Sequence, residues 1–392
     1  MCLYALVACC IVIFSYGWID RNLVISLHPT IVTIRRILEQ MTYDNRMLGG
    51  ILYTCILTTL FFLYFVTLRK VARMELSRTR VASLVIGLAI IVGLSFPLTS
   101  YDLFNYILTA KVTYHYHENP YLVMPIELIG EPGLAYTRAA NKTALYGPTW
   151  IGASYIPHIF GGDTIWGQIL AFKLFSSASY VAVAYLLFII SGSVAPVVWF
   201  ALNPLVIIEL LVNGHNDGLM MFICLSSYVV FLQKKRLGTC IGFGLLVLSS
   251  LVKGATLVLL PLMFWRQFPR AVAWVMPHTK KIHLTTPQTV YFLSSLLLAV
   301  AFLVAGPMRE ELYPWYGVWC LTFASLLDDT RYGWYKGLLI AGTVGLELRP
   351  IAYMIMGYYE GPGPLIRLLV TIVPVIGYSM VSLSIFFKRK YI

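Results

Sequence analysis

Apolar residues along this chain come in long runs rather than in short alternating stretches. Runs of about 17–25 residues are long enough to cross a bilayer as helices. They recur at 2–19, 49–68, 82–98, 166–190, 289–306, 337–356 and 365–387. Other apolar runs at 195–212, 218–233, 238–252, 255–265 and 315–327 complete the pattern. The period-two alternation of a membrane barrel is absent. The pattern predicts an all-α integral membrane protein, a polytopic helical bundle of 11–13 transmembrane helices read as one domain over residues 1–392.

Composition agrees with that reading. The chain is 59% hydrophobic and 12% charged, with a mean hydropathy of +0.78. Soluble domains carry about 25% charged residues, so lipid replaces water over most of this surface. Seven cysteines lie almost entirely within the apolar runs, and no Cys-x-x-Cys pair suggests a zinc site or disulfide framework. Leu6-Val7-Ala8-Cys9 resembles a lipoprotein cleavage box, but the short run before it lacks a positive start. Residues 2–19 are read as an uncleaved first span.

The formal charge of +12 would suit a nucleic-acid partner, but its distribution excludes one. The basic residues stand in clusters between apolar runs: Arg69, Lys70, Arg73, Arg78 and Arg80; Lys234, Lys235 and Arg236; Arg266, Arg270, Lys280 and Lys281; Lys388, Arg389 and Lys390. Such clusters mark cytoplasmic loops, and no soluble stretch interleaves aromatic with basic residues. Threading from a cytoplasmic 69–80 loop puts 99–147, Gly214 to Asp217, Lys253-Gly254 and Pro307 to Pro314 outside. Seventeen Lys/Arg then fall inside, nine outside and three (Lys173, Arg349, Arg367) within spans, which supports the orientation. One join stays open. If 148–161 also spans, 195–212 must be a re-entrant hairpin bent at Asn203-Pro204. The stretch Ile31 to Met41, with apolar and basic faces, reads either as an amphipathic surface helix or as an ordered connector.

Candidate chemistry gathers on the outer side. Asp102 directly follows the Pro97-containing end of a span, at a depth where desolvation raises a carboxylate's basicity. After it, Leu103, Tyr106, Ile107, Ala110 and Tyr114 share one face at helical spacing, predicting an interfacial helix in the outer loop 99–147. Asn119-Pro120-Tyr121 then turns the chain. The plain alternative makes Asp102 a helix cap. Asn216 or Asp217 equally suits a cap for span 218–233, and Lys253 suits snorkelling to the headgroups. Tyr313, Trp315 and Tyr316 suit either an interface belt or stacking on a sugar. His115 and His117 flank Tyr116 without a third ligand at helical spacing, so no metal is expected.

Taken in order, these pieces resemble a known group. Asp102-x-x-x-Tyr106, Lys111, Asn119-Pro120-Tyr121 and Tyr146-Gly147-Pro148 are followed by Asn203-Pro204-Leu205 with Glu209. Gly214-His215-Asn216-Asp217-Gly218, Val252-Lys253-Gly254 and Tyr313-Pro314-Trp315-Tyr316 complete the set. The set is similar to GT-C multi-spanning glycosyltransferases, in particular the polyprenol-phosphate-mannose-dependent mannosyltransferases, over about residues 82–330.

The resemblance implies a GT-C type fold and transfer of a hexose, mannose by the likeness. The donor is a polyprenyl-phosphate sugar and the acceptor a glycan or glycolipid, on the extracytoplasmic side of the cell membrane and with inversion. It implies Asp102 as catalytic base. It makes Tyr101, Tyr106, Lys111, Asn119, Tyr146, Glu209, His215, Asn216, Asp217, Lys253, Tyr313, Trp315 and Tyr316 substrate-binding candidates. Lys111, Arg138, Lys142, Lys253 and Arg309 are the outer cations available to a leaving phosphate. No cofactor is implied. An adjacent second Asp is missing, so no metal held by Asp-x-Asp is supported. Lys173, Arg349 and Arg367 either form buried pairs or meet the carrier phosphate. The chief rival from another class, a polytopic transporter or lipid flippase, would show two related halves, and none is visible.

Overall fold

The computed structural model describes all residues except 21, 22, 25, 234, 235, 276–285, 309, 310, 359 and 392. Lys234, Lys235, Lys280, Lys281 and Arg309 therefore lie outside the described residues. Every regular element among the described residues is helical.

Among the described residues, six helices are long and apolar enough to cross a membrane: α3 (Arg46–Ala72), α7 (Ile165–Ser191), α11 (Arg236–Lys253), α14 (Pro287–Met308), α16 (Asp329–Met356) and α17 (Gly363–Tyr391). The chain is a multi-pass membrane protein. A seventh crossing unit is a bent pair, α8 (Val194–Ala201) and α9 (Pro204–Val212), which meet at 63°. The count of 11–13 spans thus requires shorter apolar helices to cross as well, such as α1 (Cys2–Gly17), α4 (Arg78–Gly93) and α10 (Asp217–Phe231). Among the long helices α17 is hardly buried, so its apolar surface is covered by lipid rather than protein.

At the open join the structure has the bend that the second threading expects. Residues Pro148–Gly161 form a helix, α6, and the 195–212 run breaks at Leu202-Asn203, where Pro204 cannot continue α8. Bent backbone inside a membrane needs partners for its freed carbonyls, and neighbours supply them. Tyr64 donates to Trp199 O and Tyr180 to Ala201 O, each at 2.8 Å. Asn203 Oδ1 caps the new helix start by accepting from Leu205 N at 3.0 Å.

From Ile207 to Val212 α9 widens into π-helical turns, and Lys173 from α7 closes its end. The Lys173 ammonium donates to Ser95 Oγ at 3.1 Å, to Val212 O at 2.5 Å and to Leu211 O, while Ser176 donates to Leu210 O at 2.7 Å. A lysine that the sequence left unassigned is therefore a capping group for the π-turns. Gly214 follows at φ +75°, a left-handed turn that a β-carbon would disfavour, with Leu103 and Lys173 already close.

The helix α5 (Asp102–Tyr114) forms where the spacing predicts. It differs in exposure. Leu108 and Val112, off the expected face, are buried along with Leu103, Tyr106, Ile107 and Ala110, because the segment 125–135 folds over it and α6 and α7 pack beneath. The helix α2 (Pro29–Met41) behaves as an amphipathic surface helix. None of its residues is buried, and Ile31, Ile34, Ile37 and Met41 are about half exposed.

Candidate functional site

The approach to Asp102 is fixed by one side chain from the bent helix. Asn213 Oδ1 accepts from Leu98 N at 3.1 Å and Thr99 N at 3.0 Å, and its amide donates to Thr99 Oγ1 at 2.7 Å and Glu209 Oε2 at 2.9 Å. The backbone entering α5 is thereby tied to the π-turns of α9. Tyr101 is the residue at the helix cap position and offers no side-chain cap, so Asp102 is the first helical residue rather than the cap. Its carboxylate, with a side-chain exposure of 25%, stands 3.8 Å from His215 Nδ1 and is hydrogen-bonded by the Tyr146 hydroxyl.

Around Asp102 lies a cavity of about 510 Å³. One part of its lining comes from Thr99, Ser100, Tyr101, Asp102 and Asn105, with Arg138 stacked on the Tyr101 ring at 4.7 Å. Glu209 and the stretch Tyr313 to Trp315 form a second part. Trp18, Asp20 and Tyr43 add a third, and Glu311, Arg349, Tyr353, Met354 and Arg367 a fourth.

Behind this lining sits a polar network. His215 is fully buried, with Nε2 3.1 Å from Glu209 Oε2 in a poorly aligned contact and Nδ1 3.4 Å from the Tyr106 hydroxyl. Tyr106 also donates to Asn216 Oδ1 at 3.3 Å, and its ring meets Tyr146 edge-on at 4.8 Å. The imidazole is stacked on Trp315 at 4.1 Å, and Trp315 on Tyr313 at 4.5 Å. Burial, with Lys253 and Lys173 nearby, holds His215 well below the ordinary imidazole range, so it stands neutral beside Asp102. Burial likewise pushes the Tyr101 hydroxyl up to about 12 and the Tyr106 and Tyr146 hydroxyls well above their ordinary range, keeping all three as donors.

Two expected cations are committed elsewhere. Lys253 pairs with Asp217 Oδ2 at 2.8 Å, under the rings of Trp315 and Tyr316, and does not line the cavity. Asp217, wholly buried, also accepts from Trp319 Nε1 at 2.6 Å. Lys111 is buried against Glu131 at 2.6 Å, which staples the covering segment to α5. Burial would raise Glu131, but hydrogen bonds from Lys111, Gly133 N–H and Tyr116 outweigh it and hold the carboxyl below its usual range. Asn119 is exposed and turns the chain by accepting from Tyr121 N at 3.0 Å, and Lys142 lines a separate small recess.

The structure thus brings together Asp102, Tyr101, Tyr106, Tyr146, Glu209, His215, Asn216, Tyr313 and Trp315. It keeps Asp217, Lys253 and Tyr316 just behind them, and Lys111 and Asn119 apart. Among the described residues, the cations that do line the cavity are Arg138, Arg349 and Arg367. Arg349 and Arg367 both donate to Glu311 Oε1, and Arg349 reaches Thr371 Oγ1 at 3.0 Å. Sequence reasoning missed Glu311, Asn213, Trp319 and the N-terminal wall of Trp18, Asp20 and Tyr43. Only Asn213, beside the Gly214–Gly218 motif, carried a local signal. Among the described residues, no group of three or more His, Cys, Asp or Glu is placed to hold a metal ion.

Comparison with known protein families finds a match. The model of a family described as alpha-(1->6)-mannopyranosyltransferase, N-terminal domain, matches residues 4–269. No curated protein and no solved structure matches the chain.

Proposed function

The chain belongs to the alpha-(1->6)-mannopyranosyltransferase family, and from this premise we propose that it moves mannose from a polyprenyl-phosphate carrier to a glycan or lipid-linked acceptor on the extracytoplasmic side. A membrane mannosyltransferase needs a base for the acceptor hydroxyl and a place for a leaving phosphate. The observation that carries this reading is one cavity lined both by Asp102 and by three arginines.

The step needs little else. Asp102 takes the proton from the acceptor hydroxyl as its oxygen attacks the anomeric carbon. The bond from that carbon to the phosphate oxygen breaks, and its electron pair leaves with the phosphate. Negative charge grows on the carrier during the step, so guanidinium groups already in place stabilise the transition state more than the ground state. One displacement inverts the anomeric centre. Tyr146, donating to one carboxylate oxygen, holds Asp102 in place, and the His215 ring 3.8 Å away is neutral and adds no charge against it. The stacked Tyr313 and Trp315 offer a flat apolar face to a sugar ring.

Asp102→Asn is the direct test, using purified protein with mannosyl-phosphoryl-polyprenol and a lipid-linked glycan acceptor. A positioned general base contributes roughly 10²–10⁴-fold, so transfer falls by that order while the thermal midpoint in detergent holds. Undiminished turnover in the variant removes Asp102 from the reaction.

A further inference from the structure

The arginines of the cavity carry a feature that the proposed reaction alone does not explain. Arg349 and Arg367 belong to two helices long and apolar enough to span, α16 and α17. Their side chains are 11% and 20% exposed, and both direct a guanidinium nitrogen to one oxygen, Glu311 Oε1. Glu311 is not on either helix. It stands on the connection before Pro314, with its side chain 24% exposed toward the same cavity.

Two guanidiniums on one carboxylate oxygen is an unbalanced arrangement. Each arginine has five N–H donors and the carboxylate two oxygens, of which both arginines use the same one. The trio carries a net charge of about +1, and about +2 once the carboxylate leaves, since arginine stays protonated. A phosphate bearing a sugar and a polyprenyl chain is singly negative, and the monoester left after transfer approaches two charges at neutral pH. It also presents three oxygens to the planar forks.

We propose that Arg349 and Arg367 are the seat of the carrier phosphate and that Glu311 occupies this seat between turnovers, as an internal anion which the phosphate displaces. The resident carboxylate keeps two like charges together at membrane depth, where an uncompensated pair is costly. Its departure on carrier binding leaves the full double charge in place before the leaving group forms. This inference rests on the reading of the chain as a polyprenyl-phosphate-dependent transferase. It extends that reading to residues beyond the stretch 4–269 that the family match covers.

The test measures binding of polyprenyl monophosphate to the purified full chain in detergent, beside mannose transfer by the unaltered protein. Phosphatidic acid and inorganic phosphate serve as comparison ligands. Glu311→Gln removes the competing charge at nearly constant shape and binds the carrier roughly tenfold more tightly, the scale of one charge-assisted hydrogen bond. Arg349→Gln and Arg367→Gln each bind it at least about tenfold more weakly by the same scale, and Arg367→Lys recovers part of the loss.

Glu311→Gln binding no better while its thermal midpoint falls would make Glu311 a structural staple and overturn the proposal. So would arginine variants with unchanged affinity. Phosphatidic acid binding as well as the carrier, with the same dependence on these residues, would assign the seat to membrane lipid instead. Should the unaltered protein transfer mannose while carrier binding ignores all three positions, this inference falls alone. If it neither binds nor transfers, both readings fall.

Discussion

Lys253 and Asp217 form a buried pair behind the cavity lining rather than in it. Asp217 is fully buried and depends on Lys253 at 2.8 Å and Trp319 at 2.6 Å. Removing one partner of a buried pair costs about 3–5 kcal/mol, because the remaining charge is stranded. Lys253→Met therefore lowers the thermal midpoint in detergent sharply, and adding Asp217→Asn restores most of it. An equal loss in single and double variants would show that the pair is not what holds this corner together.

His215 makes a second residue-scale prediction. Its folded-state value lies well below the ordinary 6.5, so below about pH 6.5 the unfolded chain binds the extra proton and the folded chain does not. This contribution to stability is level above that pH and falls as the pH drops below it. The groups facing the ring are Asp102, Glu209, Tyr106, Lys173 and Lys253. Thermal midpoints taken between about pH 5 and 8, the range in which imidazole titrates, show the slope in the unaltered protein and a shallower one in His215→Gln. Parallel curves would contradict the buried neutral imidazole.

At the scale of elements, the start of α6 is set by a single close approach. Gly147 donates its N–H to Val252 O at 3.0 Å, and a β-carbon there would lie 2.0 Å from the backbone oxygen of Leu251. Backbone cannot yield as a flexible side chain does, so Gly147→Ala must drive α6 from α11 and carry Tyr146 away from Asp102. Overpacking of this kind costs about 1–3 kcal/mol or more, and transfer falls along with the thermal midpoint. Full activity with an unchanged midpoint would mean that the contact is slack.

Much at this scale was legible. The Asp102–Tyr114 helix follows from its apolar spacing, while the Pro148–Gly161 helix and the break at Asn203-Pro204 belong to only one of the two threadings that the sequence allows. The π-turns of α9 were not. Nothing within Ile207–Val212 announces them, since their carbonyls are satisfied by Lys173 and Ser176 on a distant helix. Nor was the enclosure of α5, which comes from a covering segment held by the Lys111–Glu131 pair rather than from its own pattern.

For the whole molecule, the sequence disclosed the cavity's chemistry unevenly. Polar residues grouped at the ends of apolar runs, such as Gly214 to Asp217 or Tyr101 and Asp102, stand out because lipid excludes such residues unless they are used. Arg349 and Arg367 stood out equally, but whether an intramembrane arginine meets a partner, a ligand or both depends on packing between helices far apart in sequence. Their shared contact with Glu311 became visible only with the chain folded. Trp18, Asp20 and Tyr43 gave no sign at all, since nothing in a connector marks it as a wall.

The cavity takes Asp102 from within residues 4–269 and two of its arginines from beyond them. Under the proposed reaction, proton removal and the paired-arginine seat of the phosphate are thus written in separate stretches of chain, with Arg138 the one cavity arginine on the Asp102 side. Evolution can rework the grip on the departing lipid by altering the last third alone, and a chimera joined near residue 270 would inherit its acceptor chemistry from one parent and its carrier from the other.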